Sequence, residues 1–212
     1  MKVTMTDQRT ELQRRFLQVL AEMSNETMWR WLDDPQGFQD TLQQALCQFK
    51  FLMTIRLGTG LKTTDDFCQA ITDAGGRFSD WAKDIMGKPD FANSVSPCPV
   101  ELDLYTATTE EILGEKGKSG SLSDIYAGIA DRLGGELLPA EAGPQSRLQY
   151  LDQPDDELLL IAMEPIKDSG GDFDVFGVRR DDNDLWLNSY YNYSDSVWSP
   201  DTRWVFSRPR CA

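Results

Sequence analysis

Histidine is absent from this chain of 212 residues, and its absence removes a large group of chemistries. Imidazole is the commonest general base, the base of Ser-His-Asp and Cys-His nucleophile systems, and a frequent zinc ligand. An enzyme built from these residues would depend on carboxylates, tyrosine, lysine, cysteine or a metal held by carboxylates. The sequence also has no phosphate-binding loop, zinc-ribbon or EF-hand pattern. We therefore predict no metal and no cofactor.

Cysteine is sparse, with four residues at Cys47, Cys68, Cys98 and Cys211. They form no Cys-x-x-Cys pair, and their spacing matches no zinc finger. Cys47 and Cys68 fall in patterns typical of helices, where a buried cysteine acts as a small apolar residue. We expect reduced thiols, and the spacing leaves a bridge between Cys98 and Cys211 open.

Long apolar runs are missing as well. No window approaches the ~18 consecutive apolar residues that a membrane-spanning helix needs. The N-terminus becomes polar where a signal peptide would require an apolar stretch. We expect a cytoplasmic protein with no membrane association.

Positive charge is scarce relative to negative charge. The chain has 35 Asp and Glu residues against 21 Lys and Arg, giving a formal net charge of −14. The electric field of this negative charge repels phosphate backbones, so nucleic acid is disfavoured as a partner. The charge is consistent with a role in solubility or with binding of a basic protein partner. Apolar residues make up 40% of the chain, enough to build a hydrophobic core.

The N-terminal quarter shows helical periodicity. Apolar residues at helical spacing predict amphipathic helices over Thr6–Met23 and over 35–57, the second ended by Gly58. We divide the chain into an N-terminal helical segment, residues 1–60, and an α+β domain, residues 61–212.

A pair of short helices is predicted over residues 64–88. Thr64 is placed to cap a helix over Asp65–Ala74, and Ser79 to cap the next one. Two helices joined by a glycine turn are typical of helix-turn-helix proteins, although the second has no cluster of Arg or Asn to meet base edges. A DNA-associated regulator acting through this pair is kept as a second alternative.

The remaining residues mix strands and helices. Alternating apolar residues predict a strand over 99–106, followed by helices capped by Thr108 and Ser123. Runs rich in β-branched and aromatic residues predict further strands over Arg147–Tyr150, Leu158–Met163, Phe173–Arg180, Leu185–Tyr191 and Arg203–Ser207. Turns at Asp181–Asp184 and Asp168–Gly171 join neighbouring strands. The predicted class is α+β, with helices packed on a mainly antiparallel sheet formed by the C-terminal half.

Three blocks of the sequence, Pro139–Ser169, Thr63–Phe91 and Asp181–Arg210, resemble a family of small uncharacterised bacterial proteins. The resemblance covers roughly residues 50–210. It implies a bacterial protein that is not secreted, and it supplies no activity or site residues.

One candidate site combines carboxylates with an arginine. Pro and Gly on both sides of Glu141 predict a rigid loop over Pro139–Gln145 that fixes the direction of this carboxylate. If Glu141 and Glu164 share a cleft with Arg147, they could divide acid and base roles in a hydrolase or transferase. The alternative is a plain structural connection in which Arg147 pairs with one of these carboxylates.

The second candidate site is aromatic. A short C-terminal region contains Trp186, Tyr190, Tyr191, Tyr193, Trp198 and Trp204. Because alternate residues of a strand face opposite sides, some of these rings belong to the core and others form an exposed surface. We select Tyr191, Tyr193 and Trp198 as binding residues. The leading hypothesis is a non-catalytic protein-binding or regulatory protein of the bacterial cytosol, in an oligomeric state that the sequence leaves open.

Overall fold

A computed structural model describes residues 50–191 and 197–208. By its internal contacts the chain divides into two compact units, Met1–Phe51 and Leu52–Ala212. The predicted helix over Thr6–Met23 lies outside the described residues. Within them, no helix has the length and apolar character needed to cross a membrane.

The described residues form an α+β fold of strands and short helices. In chain order the elements are β1 (Lys50–Leu57), α1 (Thr64–Asp73), β2 (Gly76–Phe78), α2 (Asp80–Met86), α3 (Pro89–Ser94), β3 (Val100–Thr108), α4 (Thr109–Leu113), α5 (Leu122–Asp131), α6 (Ala142–Gln149), β4 (Leu158–Ile161), β5 (Ile166–Lys167), β6 (Phe173–Asp181), β7 (Asp184–Tyr191) and β8 (Arg203–Ser207).

The strands of the described residues join in one mixed sheet, in the order β1-β3-β8-β4-β6-β7-β2, with β5 paired to β6 outside this path. The pairs β3/β8, β4/β6, β5/β6 and β6/β7 are antiparallel, whereas β4/β8 and β2/β7 are parallel. The expectation of a sheet formed by the C-terminal half is too narrow, because β1, β2 and β3 all come from residues 50–108.

One face of the sheet packs against α3 and α6. Phe176 of β6 meets Phe91 of α3 edge to face, with ring centroids 6.0 Å apart. Gly143 of α6 approaches the same ring so closely that an added Cβ would lie 2.6 Å from Phe176. A side chain at position 143 would therefore push the helix off the sheet.

The opposite face packs against α4 and α5. Leu160 of β4 pairs with both Gly177 and Trp204, so Trp204 shares a face with Gly177 and not with the adjacent Phe176. The ring of Trp204 meets Tyr126 of α5 at 6.4 Å, and its Nε1 donates to Thr109 Oγ1 at 3.1 Å. The sheet is therefore covered by helices on both faces.

The short helices begin where capping residues satisfy their free N–H groups. Thr63, Thr108 and Ser121 each form a capping box with an acidic residue, and Ser79 accepts from the Ala82 N–H. The predictions for Ser79 and Thr108 are confirmed. Those for Thr64 and Ser123 are wrong by one and two residues, because Thr63 and Ser121 occupy the cap positions.

The β6–β7 hairpin follows from its turn residues. Asp181 pairs with Asp184, and the two residues between them, Asp182 and Asn183, have φ of 48° and 67°. This two-residue loop with positive φ suits the twist of antiparallel strands, and Asp and Asn tolerate it. Both predicted turns are confirmed, since Asp168–Gly171 also joins antiparallel strands, β5 and β6.

Three further predictions, each of the structure of a segment, are wrong. Residues 50–57 form β1 and not the end of a helix. Arg147–Tyr150, predicted as a strand, lies mostly in α6, and Pro139–Gln145 is not a rigid loop but runs into the same helix. Pro144 fits there because N–H groups in a first helical turn have no intrahelical partner.

The helix pair over 64–88 is not joined by a short turn. Between α1 and α2 lies β2, which pairs in parallel with β7 at the edge of the sheet. Both helices are thereby fixed to the sheet, unlike a recognition helix that projects from a helix-turn-helix unit.

The two cysteines of the described residues are free. Cys68 is buried in α1, as predicted, and burial raises the pKa of its thiol. Cys98 is exposed and carries no disulfide. Cys47 and Cys211 lie outside the described residues.

Candidate functional site

Glu141 stands at the start of α6 and is fully buried. One carboxylate oxygen accepts from the Gly58 N–H at 2.8 Å and from Gln145 Nε2 at 3.1 Å. The other accepts from the Ser96 N–H at 2.7 Å. The carboxylate therefore ties three separate backbone segments together, and both of its oxygens are occupied in doing so.

Glu141 begins a row of polar side chains along α6. Gln145 and Gln149 follow at helical spacing, so the three lie on one face of the helix. Gln145 donates to Thr59 Oγ1 at 2.7 Å. Gln149 accepts from the Arg56 N–H and donates to the Arg56 carbonyl, both at 2.8 Å. We call Glu141, Gln145 and Gln149 the α6 polar row. Their side chains bond to polar groups at the edge of β1 and in the turn after it, where another strand would otherwise be needed to supply the hydrogen bonds.

Arg147 is also buried, with a different set of partners. It donates from Nη1 to Gln153 Oε1 at 2.7 Å and from Nη2 to the Tyr150 carbonyl. Burial, with a smaller contribution from the nearby positive charge of Arg180, lowers the pKa of Arg147 to about 10. Its Nε has no hydrogen-bond partner among the described residues. Arg147 thus holds the loop after α6 and pairs with neither predicted carboxylate.

Glu164 occupies a third environment. It follows β4 and is exposed to solvent. Its neighbour Met163 accepts a hydrogen bond from the Tyr126 hydroxyl through its carbonyl. Burial raises the pKa of Tyr126, and the charge of Glu164 adds to this shift.

The predicted carboxylate–arginine site is not assembled. Glu141 and Arg147 are buried with no partner in common, and Glu164 is exposed. Since both oxygens of Glu141 already accept from backbone or amide donors, the carboxylate has no open position for a substrate. A structural role accounts for the surroundings of these residues.

The aromatic candidates lie at a surface depression. This aromatic groove is lined by Ser189, Tyr190, Tyr191, Val197 and Trp198, and its volume is about 640 Å³. Tyr191 and Val197 are 57% and 64% exposed. Two of the predicted binding residues, Tyr191 and Trp198, are therefore at one site, while Tyr193 lies outside the described residues.

Both walls of the groove are held by contacts with neighbouring elements. Trp198 exchanges backbone hydrogen bonds with Gly120, at 2.8 and 3.2 Å, and its ring meets Trp204 edge to face at 5.1 Å. On the other wall, Tyr190 packs across Gly177 of β6, where an added Cβ would lie 2.6 Å from the ring. Aromatic residues fixed in this way present apolar area at little entropic cost on binding.

A buried carboxylate, Asp174, lies on β6 opposite the groove residue Tyr191. Asp174 is 3% exposed and pairs with Tyr191 across the β6–β7 ladder, on the same face as Ser189. Burial raises the pKa of Asp174, partly opposed by a hydrogen bond from Ser189. The carboxylates of Asp168, Asp172 and Asp84 raise this pKa further. No group of three or more Cys, Asp or Glu side chains in the described parts of the chain is arranged to hold a metal ion.

The sequence reasoning missed Ser189, Tyr190 and Val197 as groove residues, and the buried Asp174 opposite Tyr191 on the neighbouring strand. Strand alternation predicts that Ser189 and Tyr191 share a face of the sheet. Once the hairpin register is known, the pairing of Asp174 with Tyr191 puts Asp174 on that face as well. No sequence pattern marks Val197 as a surface residue, since an isolated valine before a tryptophan is as typical of a core position as of an exposed one.

Comparison of the chain with protein-family models, curated proteins and solved structures gives no match.

Proposed function

We propose that this chain is a non-catalytic protein-binding or regulatory protein of the bacterial cytosol, and that the aromatic groove is its binding surface. The observation that carries the proposal is the pair of exposed apolar side chains, Tyr191 and Val197, beside Trp198 in a depression whose walls contact Trp204 and Gly177. Aromatic residues in such positions contribute most of the binding free energy in many protein interfaces.

The surroundings of the polar candidates support a binding role over an enzymatic one. The chain has no histidine. Glu141 and Arg147 are buried with structural partners. The carboxylate-dependent hydrolase or transferase thereby loses the cleft on which it depended, and the acidic net charge favours a protein over a nucleic acid as partner.

The test is affinity capture from a bacterial lysate with the full chain as bait. Tyr191→Ala and Val197→Asp are the groove variants. Trp81→Ala and Leu151→Asp are matched controls, because Trp81 and Leu151 are 55% and 51% exposed outside the groove. We expect the groove variants to recover at least about tenfold less of a specific partner than the controls, as loss of an interface anchor costs about 1.4 kcal/mol or more.

All four variants should keep the wild-type circular dichroism spectrum and unfolding midpoint, since surface substitutions rarely change stability by more than ~0.5 kcal/mol. Equal recovery of every captured protein by groove variants and controls, with folding intact, would remove the groove from the proposal.

A further inference from the structure

β1 is at one end of the strand order of the described residues, so only one of its two sides pairs with a strand, β3. On its other side, Gln149 of α6 accepts from the Arg56 N–H and donates to the Arg56 carbonyl, both at 2.8 Å. The backbone groups of Arg56 therefore point away from β3. A side-chain amide supplies the two hydrogen bonds that a neighbouring strand would make there.

The backbone groups of Leu52 and Thr54 point the same way. Thr54 contacts Asp103 at 2.7 Å and Arg56 contacts Glu101 at 3.5 Å, so β1 and β3 run antiparallel. In an antiparallel pair the N–H and C=O of one residue point to the same side, and every second residue repeats that direction. Neither Leu52 nor Thr54 has a backbone hydrogen bond to a loop of the described residues. We call these two open positions the β1 edge.

The side chains at the β1 edge are incompletely covered. Thr54 is exposed, and Leu52 and Met53 are half-buried, whereas Ile55 further along the strand is buried. Met53 shares a face with Ile55, so an apolar side chain of an added strand would cover it. The segment 52–54 has no proline and no charge, two of the devices that commonly protect an edge strand from pairing. The edge is thus suited to take up an extended chain.

The charge of β1 is opposite to that of the whole chain. Its sequence, KFLMTIRL, has two cations and no carboxylate, while the net charge of the chain is −14. Lys50 and Arg56 are exposed, and they lie two residues before Leu52 and two residues after Thr54. Lys50 makes no ion pair with the described residues, and the pair of Arg56 with Glu101 is open to solvent. This local charge favours acidic side chains in an added strand.

A second copy of the chain is a poorer occupant of the β1 edge. If two copies of β1 paired antiparallel, with Leu52 of each opposite Thr54 of the other, Lys50 would lie opposite Arg56. Like charges directly opposite each other destabilise a sheet. Two molecules of net charge −14 also repel each other.

We propose that the β1 edge binds, by strand addition, an extended segment of a partner protein in which acidic and β-branched apolar residues alternate. Its main chain bonds to Leu52 and Thr54, its acidic side chains lie near Lys50 and Arg56, and its apolar side chains cover Met53. The inference goes beyond the proposed function, because the β1 edge is separate from the aromatic groove. Four strands lie between β1 and β7 in the sheet.

Three synthetic peptides test the chemistry of the partner by fluorescence anisotropy with the full chain. The first alternates Val and Glu, the second alternates Val and Lys, and the third is the Val-Glu peptide with its backbone nitrogens methylated. We expect the Val-Glu peptide to bind at least about tenfold more tightly than either of the others. General attraction to an acidic protein would favour the Val-Lys peptide instead.

Thr54→Pro and Thr54→Ala test the main-chain contact. Both variants remove the hydroxyl that donates to Asp103, but only proline also removes the outward N–H. Proline is tolerated at an edge position whose N–H takes no part in pairing. Thr54→Pro should lower the affinity for the Val-Glu peptide at least about tenfold, and Thr54→Ala should leave it within about threefold. Circular dichroism checks that both variants are folded.

Lys50→Glu tests the charge without altering the backbone. Lys116→Glu is its matched control, since Lys116 is an exposed lysine elsewhere and the net charge changes equally. Lys50→Glu should lower the affinity for the Val-Glu peptide at least about fivefold, and the control should leave it within about twofold. Tyr191→Ala in the aromatic groove should also leave it within about twofold.

The inference is overturned if no peptide binds, if the Val-Lys or the methylated peptide binds as well as the Val-Glu peptide, or if each variant and its control lose affinity equally. Loss of binding with Tyr191→Ala would place the site in the groove and overturn it too. A dimer seen by sedimentation that Thr54→Pro dissociates and Thr54→Ala does not would make a second copy the occupant, against the inference.

Discussion

The α6 polar row and the aromatic groove contrast in what their residues do. Glu141 is the residue most distinctive by sequence, yet it is buried and bonds to two backbone N–H groups and one side-chain amide. Val197 is inconspicuous by sequence, yet it is among the most exposed large apolar residues of the described chain. The comparison teaches that polar residues in an unusual sequence motif can have a purely structural role. An exposed apolar surface can instead form from residues at a strand end that no motif marks.

The substitution Glu141→Ala tests most sharply whether Glu141 has a structural role. The substitution leaves the buried N–H of Gly58 and the half-buried N–H of Ser96 without their acceptor. We expect a loss of about 3 kcal/mol or more in the free energy of unfolding, measured by urea denaturation. The exposed Glu164→Ala is the control and should change stability by less than ~0.5 kcal/mol. A mild effect of Glu141→Ala would show that the carboxylate is not architectural.

Gly177→Ala tests the link between the sheet and the groove wall. The new Cβ would lie 2.6 Å from Tyr190 and 3.0 Å from a Leu160 methyl group. Tyr190 must move, at a cost of about 1–3 kcal/mol in the free energy of unfolding. Partner capture should fall together with stability. Gly75→Ala is not a suitable control because of its φ of 78°, so Gly170→Ala on the β5–β6 turn serves instead, and it should leave capture unchanged.

Gln149→Ala should have a smaller effect. It removes the side-chain amide that bonds to both backbone groups of Arg56 at the edge of β1. Water can replace it at this exposed site, so we expect a loss of about 1 kcal/mol, measured by urea denaturation. If Gln149→Ala lowers the free energy of unfolding as much as Glu141→Ala, the exposed end of the α6 polar row holds the helix in place as strongly as the buried end does.

The smallest predicted effect concerns pH. Burial raises the pKa of Asp174 above its ordinary value of 3.8, so the folded state binds the proton more tightly than the unfolded state. This stabilisation is fully present below the unfolded pKa and is lost as the pH rises through the folded pKa. Asp174→Asn cannot ionise. Its stability relative to wild type should therefore rise with pH over that window, measured by urea denaturation across a pH series. A constant difference would show that Asp174 is not perturbed.

Local signals in the sequence were sufficient for much of the fold. The hairpin at Asp182 and Asn183 and the helix starts at Ser79 and Thr108 are short-range features, determined by which residues can cap or turn the chain. The α+β class follows from the same local patterns. The density of aromatic residues near the C-terminus also gave Tyr191 and Trp198 as surface candidates, and both line the groove.

The misplaced elements depend on contacts distant in sequence. Residues 50–57 have helical spacing, but pairing with β3 and the amide of Gln149 make them a strand. Arg147 lies in a helix that packs on the sheet, where Gly143 approaches Phe176 of β6 and Arg147 Nη1 donates to the Arg179 carbonyl at 3.4 Å. Local propensity is overridden in both segments by tertiary contacts that no short window of sequence contains.

Amide hydrogen exchange of the full chain, alone and with the captured partner, tests the central claim most directly. The account predicts that binding slows exchange at residues 189–191 and 197–198 and leaves α6 unchanged. Protection that appears at Glu141–Gln149, with none at the groove, would contradict it.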